Sequence, residues 1–120
     1  MTITSYKDLI VWQKSVELVT QIYHITKGFP KSEQFGLTSQ IRRAAISIPS
    51  NIAEGCARKS RLEYAHFIRI ASGSGAELET QLYIALQLNF IDKNTYNTAE
   101  SLLNEIMRML NKLNLSLKYH

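Results

Sequence analysis

Apolar positions recur at spacings of three and four along almost the whole chain, and no stretch alternates with the period of two that marks a strand. From about residue 8 to 27, Leu9, Trp12, Val16, Val19 and Tyr23 form one stripe, with Val11, Leu18, Ile22 and Ile25 beside it. Gly28 and then Pro30 supply the stop. A second segment, about 33–57, follows Ser32 as N-cap and carries Leu37, Ile41, Ala45, Ile48 and Ile52. Pro49 interrupts it at a cost of about 3 kcal/mol in a helix interior, which predicts a kink or local unwinding. A flatter stripe of Ile46, Pro49 and Ala53 offers a close approach to a neighbour.

The third segment, about 61–89, opens on Ser60-Arg61-Leu62-Glu63, a capping box. Tyr64, Ile68, Ala71, Gly75, Leu78, Leu82 and Ala85 keep the helical period through the small-residue run Ala71-Ser72-Gly73-Ser74-Gly75-Ala76. Two mid-helix glycines cost roughly 1 kcal/mol each against alanine. The unbroken period nevertheless predicts one continuous helix, with another backbone packed closely on it. The fourth segment, 93–118, repeats Ala99, Leu103, Ile106, Leu110, Leu113 and Leu117 in a coiled-coil-like seam.

Short connections place sequence neighbours antiparallel. The expected fold is all-α: one up-down-up-down four-helix bundle over residues 1–120, with helices about 37 Å long. The first two segments hold more apolar surface than one core needs, which predicts a homo-oligomer.

Composition then narrows the classes. With 45% hydrophobic and 20% charged residues, the chain is globular rather than disordered. Its longest apolar run, Leu9-Ile10-Val11-Trp12, is too short for a membrane span, so a cytoplasmic protein with no membrane partner is expected. The single Cys56 permits neither an internal disulfide nor a multi-thiolate metal site. The net charge is +4, and it is concentrated. Residues 31–69 set Lys31, Arg42, Arg43, Arg58, Lys59, Arg61 and Arg69 against Glu33, Glu54 and Glu63, which equals the whole excess. Such an excess suits polyanions such as nucleic acid or acidic lipid, although a solvated face is the commoner cause of a run of this kind.

No enzyme constellation emerges. Glu63-x-x-His66 is one half of a di-iron motif, but Gln21 precedes His24 and Leu117 precedes His120 where a second Glu is required. Gly73-Ser74-Gly75 follows no strand, so it is no phosphate loop. Glu77 and Glu79 diverge by about 200° around a helix and make no acid/base pair. Cys56 lies near Arg58 and Lys59, yet has no His or acidic partner identifiable from sequence and reads as a packing residue. No catalytic residue, cofactor or metal is expected.

Two features remain. The first is a polar stripe of Arg43, Ser47, Ser50 and Glu54, with Asn51 adjoining, at helical spacing. It is either displayed to a partner or structural, with Arg43 paired to a glutamate such as Glu77 inside the bundle. The second is the basic group Arg58-Lys59-Ser60-Arg61 at a turn. If Arg42, Arg43 and Arg69 project near it, the set binds phosphates of RNA or DNA without base reading.

These residues also carry a resemblance. Tyr6-Lys7-Asp8-Leu9 with Trp12-Gln13, Arg42-Arg43-Ala44-Ala45-x-Ser47-Ile48-Pro49-Ser50-Asn51-Ile52-Ala53-Glu54-Gly55, and Ala71-Ser72-Gly73-Ser74-Gly75-Ala76-Glu77-Leu78-Glu79-Thr80-Gln81-Leu82 resemble the 23S rRNA intervening-sequence protein family over about residues 6–113. Gly75 departs from a larger apolar residue in that pattern, which predicts looser packing there. The resemblance implies a bacterial four-helix bundle assembled into a ring, a pentamer favoured. It also implies kinship with an accessory protein of diversity-generating retroelements, whose basic surface engages nucleic acid. The resulting expectation is a non-enzymatic, ring-forming nucleic-acid-binding or accessory protein. The alternative is a protein-interaction scaffold displaying the Arg43–Glu54 stripe.

Overall fold

A computed structural model describes residues 5–118. Ser5 caps a short 3-10 turn, Tyr6–Asp8, by accepting the Lys7 N–H at 3.1 Å. Four helices follow: α1 Ile10–Thr26, α2 Leu37–Cys56, α3 Arg61–Gln87 and α4 Lys93–Lys118. Each helix packs on its two neighbours in the cyclic order α1, α2, α3, α4. The described residues contain no strand, and the molecule measures 45 × 25 × 21 Å. This is the up-down-up-down bundle that the apolar periods predict.

The core is a layered aliphatic seam. Leu18 and Ile22 from α1, Ile41, Ile48 and Ile52 from α2, Ile68, Leu78 and Leu82 from α3, and Leu103, Ile106 and Leu110 from α4 are all fully buried. On α1 the two stripes exchange the roles their strength in the sequence suggests. Val11, Ser15, Leu18, Ile22 and Thr26 face the core, while Trp12, Val16 and Val19 are half-buried and Tyr23 is exposed. Two hydroxyl residues disguise the true core face. They are tolerated because Ser15 Oγ donates to the Val11 carbonyl at 2.6 Å and Thr26 Oγ1 to the Ile22 carbonyl at 2.7 Å. Each of these two buried hydroxyls thus carries its own hydrogen bond.

Helix ends also differ from the pattern-based bounds where backbone chemistry intervenes. Residues 31–33 form a 3-10 turn, and Gly36 (ψ −114°) separates it from α2, so Ser32 is not the cap. Glu33 takes that place instead, its carboxylate accepting the Leu37 N–H at 3.1 Å. α2 then runs unbroken through Pro49. Helix α3 begins on Ser60, whose hydroxyl accepts the Glu63 N–H at 3.0 Å, and runs through the small-residue stretch without a break. It stops two residues short of 89 because Asn89 adopts φ 61°. The Phe90 N–H bonds the Ala85 carbonyl at 2.9 Å and the Asn89 N–H the Leu86 carbonyl at 3.0 Å, the paired bonds of a Schellman stop. Asp92 then caps α4 through the Thr95 N–H at 2.7 Å.

The helices α2 and α3 pack closely at Gly55. A Cβ built on Gly55 falls 2.9 Å from the Phe67 Cβ and 3.2 Å from the Tyr64 carbonyl oxygen. Gly75 is not a loose spot, since a Cβ there would run into the Met107 sulfur. Met107 fills the room that a larger residue would take. Gly73 meets nothing within 4 Å and faces open space.

Candidate nucleic-acid interface

The polar stripe of α2 divides into two parts. Ser47 is half-buried and accepts two hydrogen bonds on its hydroxyl, from Ser74 Oγ at 2.7 Å and Asn51 Nδ2 at 2.9 Å. Asn51 also donates to the Ser47 carbonyl at 2.8 Å. These short polar side chains therefore lock α2 onto α3. Arg43, Ser50 and Glu54 are exposed. Glu77 is exposed as well, so the buried Arg43–Glu77 pair is not formed.

The six basic residues do not gather into one patch. Arg58, Lys59 and Arg61 adjoin at the α2–α3 turn, whereas Arg42 and Arg43 lie about 22 Å back along α2 at its 1.5 Å rise per residue. Arg69 stands between the two groups, exposed on α3. Three of the cations already have partners. Arg58 pairs with Glu54 one turn earlier and lies 4.8 Å from the centre of the Phe67 ring. Arg61 donates to the Ser116 carbonyl at 2.9 Å, tying the start of α3 to the end of α4. Arg42 Nε donates to Thr26 Oγ1 at 2.8 Å, and its guanidinium covers the Tyr23 ring at 4.5 Å. That places a cation over the C-terminal turn of α1, where the helix dipole favours it. Arg43, Lys59 and Arg69 make no hydrogen bond or ion pair among the described residues.

The fold adds residues that linear spacing conceals. Lys112 lines a groove with Asp8, Ile10 and Ser116, which brings it to the same end of the bundle as Arg61. Lys7 sits in the turn that precedes α1 at that end. Both come from segments whose own charges nearly cancel. A second surprise is Phe35, 89% exposed on the turn before α2 and beside Arg42 and Arg43. Its isolation from any apolar stripe was the available signal.

The reactive groups are quiet. Tyr64 is pushed up to about 12 by burial and then by the neighbouring Cys56 thiol, which packs against it at the end of α2. Tyr96 reaches about 12 chiefly through its hydrogen bond to Glu100. Among the described residues, no three His, Cys, Asp or Glu side chains gather to hold a metal. No helix there is long and apolar enough to cross a membrane.

A family model described as 23S rRNA-intervening sequence protein matches residues 7–112. A crystal structure from Bacteroides thetaiotaomicron, described as a protein with unknown function from the S23 ribosomal protein family, superposes with a TM-score of 0.82. It is 25% identical, covering 88% of this chain and 98% of that one. No curated protein shows significant similarity to the chain.

Proposed function

The chain belongs to the 23S rRNA-intervening sequence protein family, and from that premise we propose that it is a non-enzymatic, homo-oligomeric nucleic-acid-binding protein of the cytoplasm. The observation that carries this reading is the basic end of the bundle. Arg58, Lys59 and Arg61 come together there at one helix turn, with Lys112 reaching the same end from α4. The ties that hold Arg58 and Arg61 preorganise their guanidiniums. Arg61 is bound only to a backbone carbonyl, so its charge stays unneutralised. Phosphates of RNA or DNA suit such a surface, and a ring of copies would repeat it and add avidity. Apolar side chains exposed at several places, among them Ile10, Leu62, Tyr83 and Leu88, support assembly, for which a pentamer is the favoured ring.

Two measurements test this. In anisotropy titrations of labelled RNA and DNA at two salt concentrations, binding should weaken steeply with salt. The combined Arg58→Gln, Lys59→Gln and Arg61→Gln variant should lower the log–log slope by about 0.7 per lost phosphate contact on single strands. An unchanged affinity in that variant would remove the assignment. Light scattering should give a multiple of 13.7 kDa, and a monomer mass would end the ring proposal.

The scaffold alternative draws on a different face. Ile46 and Ile70 are 40% and 39% exposed beside Arg43, Ser50 and the open Gly73. A protein partner that stays bound through nuclease and high salt would favour it.

A further inference from the structure

A groove of about 650 Å³ opens at the start of α2, away from the α2–α3 turn. Phe35 stands at its edge, 89% exposed, yet on a turn that is not loose. The Glu33 N–H bonds the Pro30 carbonyl at 2.9 Å, the Gln34 N–H the Lys31 carbonyl at 3.1 Å, and the Gly36 N–H the Glu33 carbonyl at 3.0 Å. The backbone that carries this bare aromatic side chain is therefore fixed, and the apolar surface it leaves in water gains nothing by folding.

Both charged residues lining the groove are basic. Arg42 is fixed by Thr26 and Tyr23, and Arg43 is exposed. Thr38, only 8% exposed, also lines the groove, and its Oγ1 has no hydrogen-bond partner among the described residues. Glu33 already satisfies the Leu37 N–H, so the helix terminus itself is not counted as part of this site.

A flat apolar face and two cations fit a ligand with an unsaturated ring joined to an anion. We infer that this groove binds a nucleotide unit of single-stranded nucleic acid, with a base stacked on Phe35 and its phosphate on Arg43 and Arg42. A protein ligand fits less well, because the groove has no acidic side chain to meet a mixed-charge surface. The site rests on the nucleic-acid reading above, and it adds a preference for single strands that the basic end does not predict.

The test compares the full chain with Phe35→Ala, Phe35→Trp and Arg43→Gln, using labelled single-stranded RNA and the matching duplex. Phe35 is almost wholly exposed, so these variants should fold. Stacking on one base predicts that Phe35→Ala weakens single-strand binding at least about fivefold, while duplex affinity stays unchanged and Phe35→Trp retains binding. Arg43→Gln should lower the single-strand salt slope by about 0.7. Unchanged single-strand affinity in Phe35→Ala would overturn the site, as would an equal loss on duplex. A fall in light-scattering mass in Phe35→Ala would also overturn it, by making Phe35 a contact between copies. If the unaltered chain binds neither strand form, the nucleic-acid reading itself fails. If it binds and only Phe35→Ala is silent, this groove alone is removed.

Discussion

At the scale of single residues, the bundle depends on where a Cβ or a hydroxyl fits. Gly55 and Gly73 have the same residue type and opposite consequences. At Gly55 an added methyl meets the Phe67 Cβ and the Tyr64 backbone, and neither can move without shifting α3. Gly55→Ala should cost about 1–3 kcal/mol, the usual penalty of overpacking. At Gly73 the methyl meets nothing, so Gly73→Ala should stabilise by about 0.5–1 kcal/mol through helix propensity alone. Denaturant unfolding of the two variants checks both signs. The same scale explains Ser15 and Thr26, which pass as core residues because each returns its hydroxyl proton to a carbonyl one turn back.

At the scale of an element, groups at and near helix ends make stability depend on pH. The Asp92 carboxylate accepts the Thr95 N–H at 2.7 Å, and that bond holds its pKa below the ordinary 3.8. A carboxyl with a lowered folded-state pKa contributes stability above its unfolded value and loses it as pH falls through the folded one. Asp92→Ala should therefore lower the melting temperature near pH 6, and the difference from the unaltered chain should close as the pH falls below about 4. A gap that persisted into strong acid would mean the cap is not electrostatic. At the other end of the scale, Tyr64 at about 12 is raised by burial. Its contribution is present below its ordinary value of 10.0 and is lost as pH climbs towards 12. Tyr64→Phe should flatten the alkaline limb of the stability curve.

Across the whole molecule, two basic regions face solvent about 22 Å apart along α2. Sites that far apart with no shared partner contribute independently. Neutralising Arg43 together with Arg58, Lys59 and Arg61 should then reduce the log affinity for a long single-stranded RNA by the sum of the separate losses. Strong departure from additivity in the titrations would show one shared contact instead of two. The contacts Ser47–Ser74 and Gly55–Phe67 pin the register of α2 against α3 at two levels, which sets Arg69 of α3 between the two regions.

The amino-acid sequence by itself determined the four helices, their antiparallel order and most of the buried seam. Periodicity is a local property, and Ile41, Ile68, Leu103 and their repeats declare it within a few turns of chain. It also marked the basic turn, because Arg58, Lys59 and Arg61 are neighbours in sequence as well as in space. What it could not separate were the two faces of α1, since a hydroxyl that bonds its own helix is as buried as a valine while reading as polar. Only the tertiary structure decided which arginines are engaged, because Thr26, Ser116 and Phe67 reach them across other helices or turns. It alone split the basic set in two, joined Lys112 to one half, and left Phe35 standing in water beside the other. Those are distances between segments far apart in the chain, which no local pattern records.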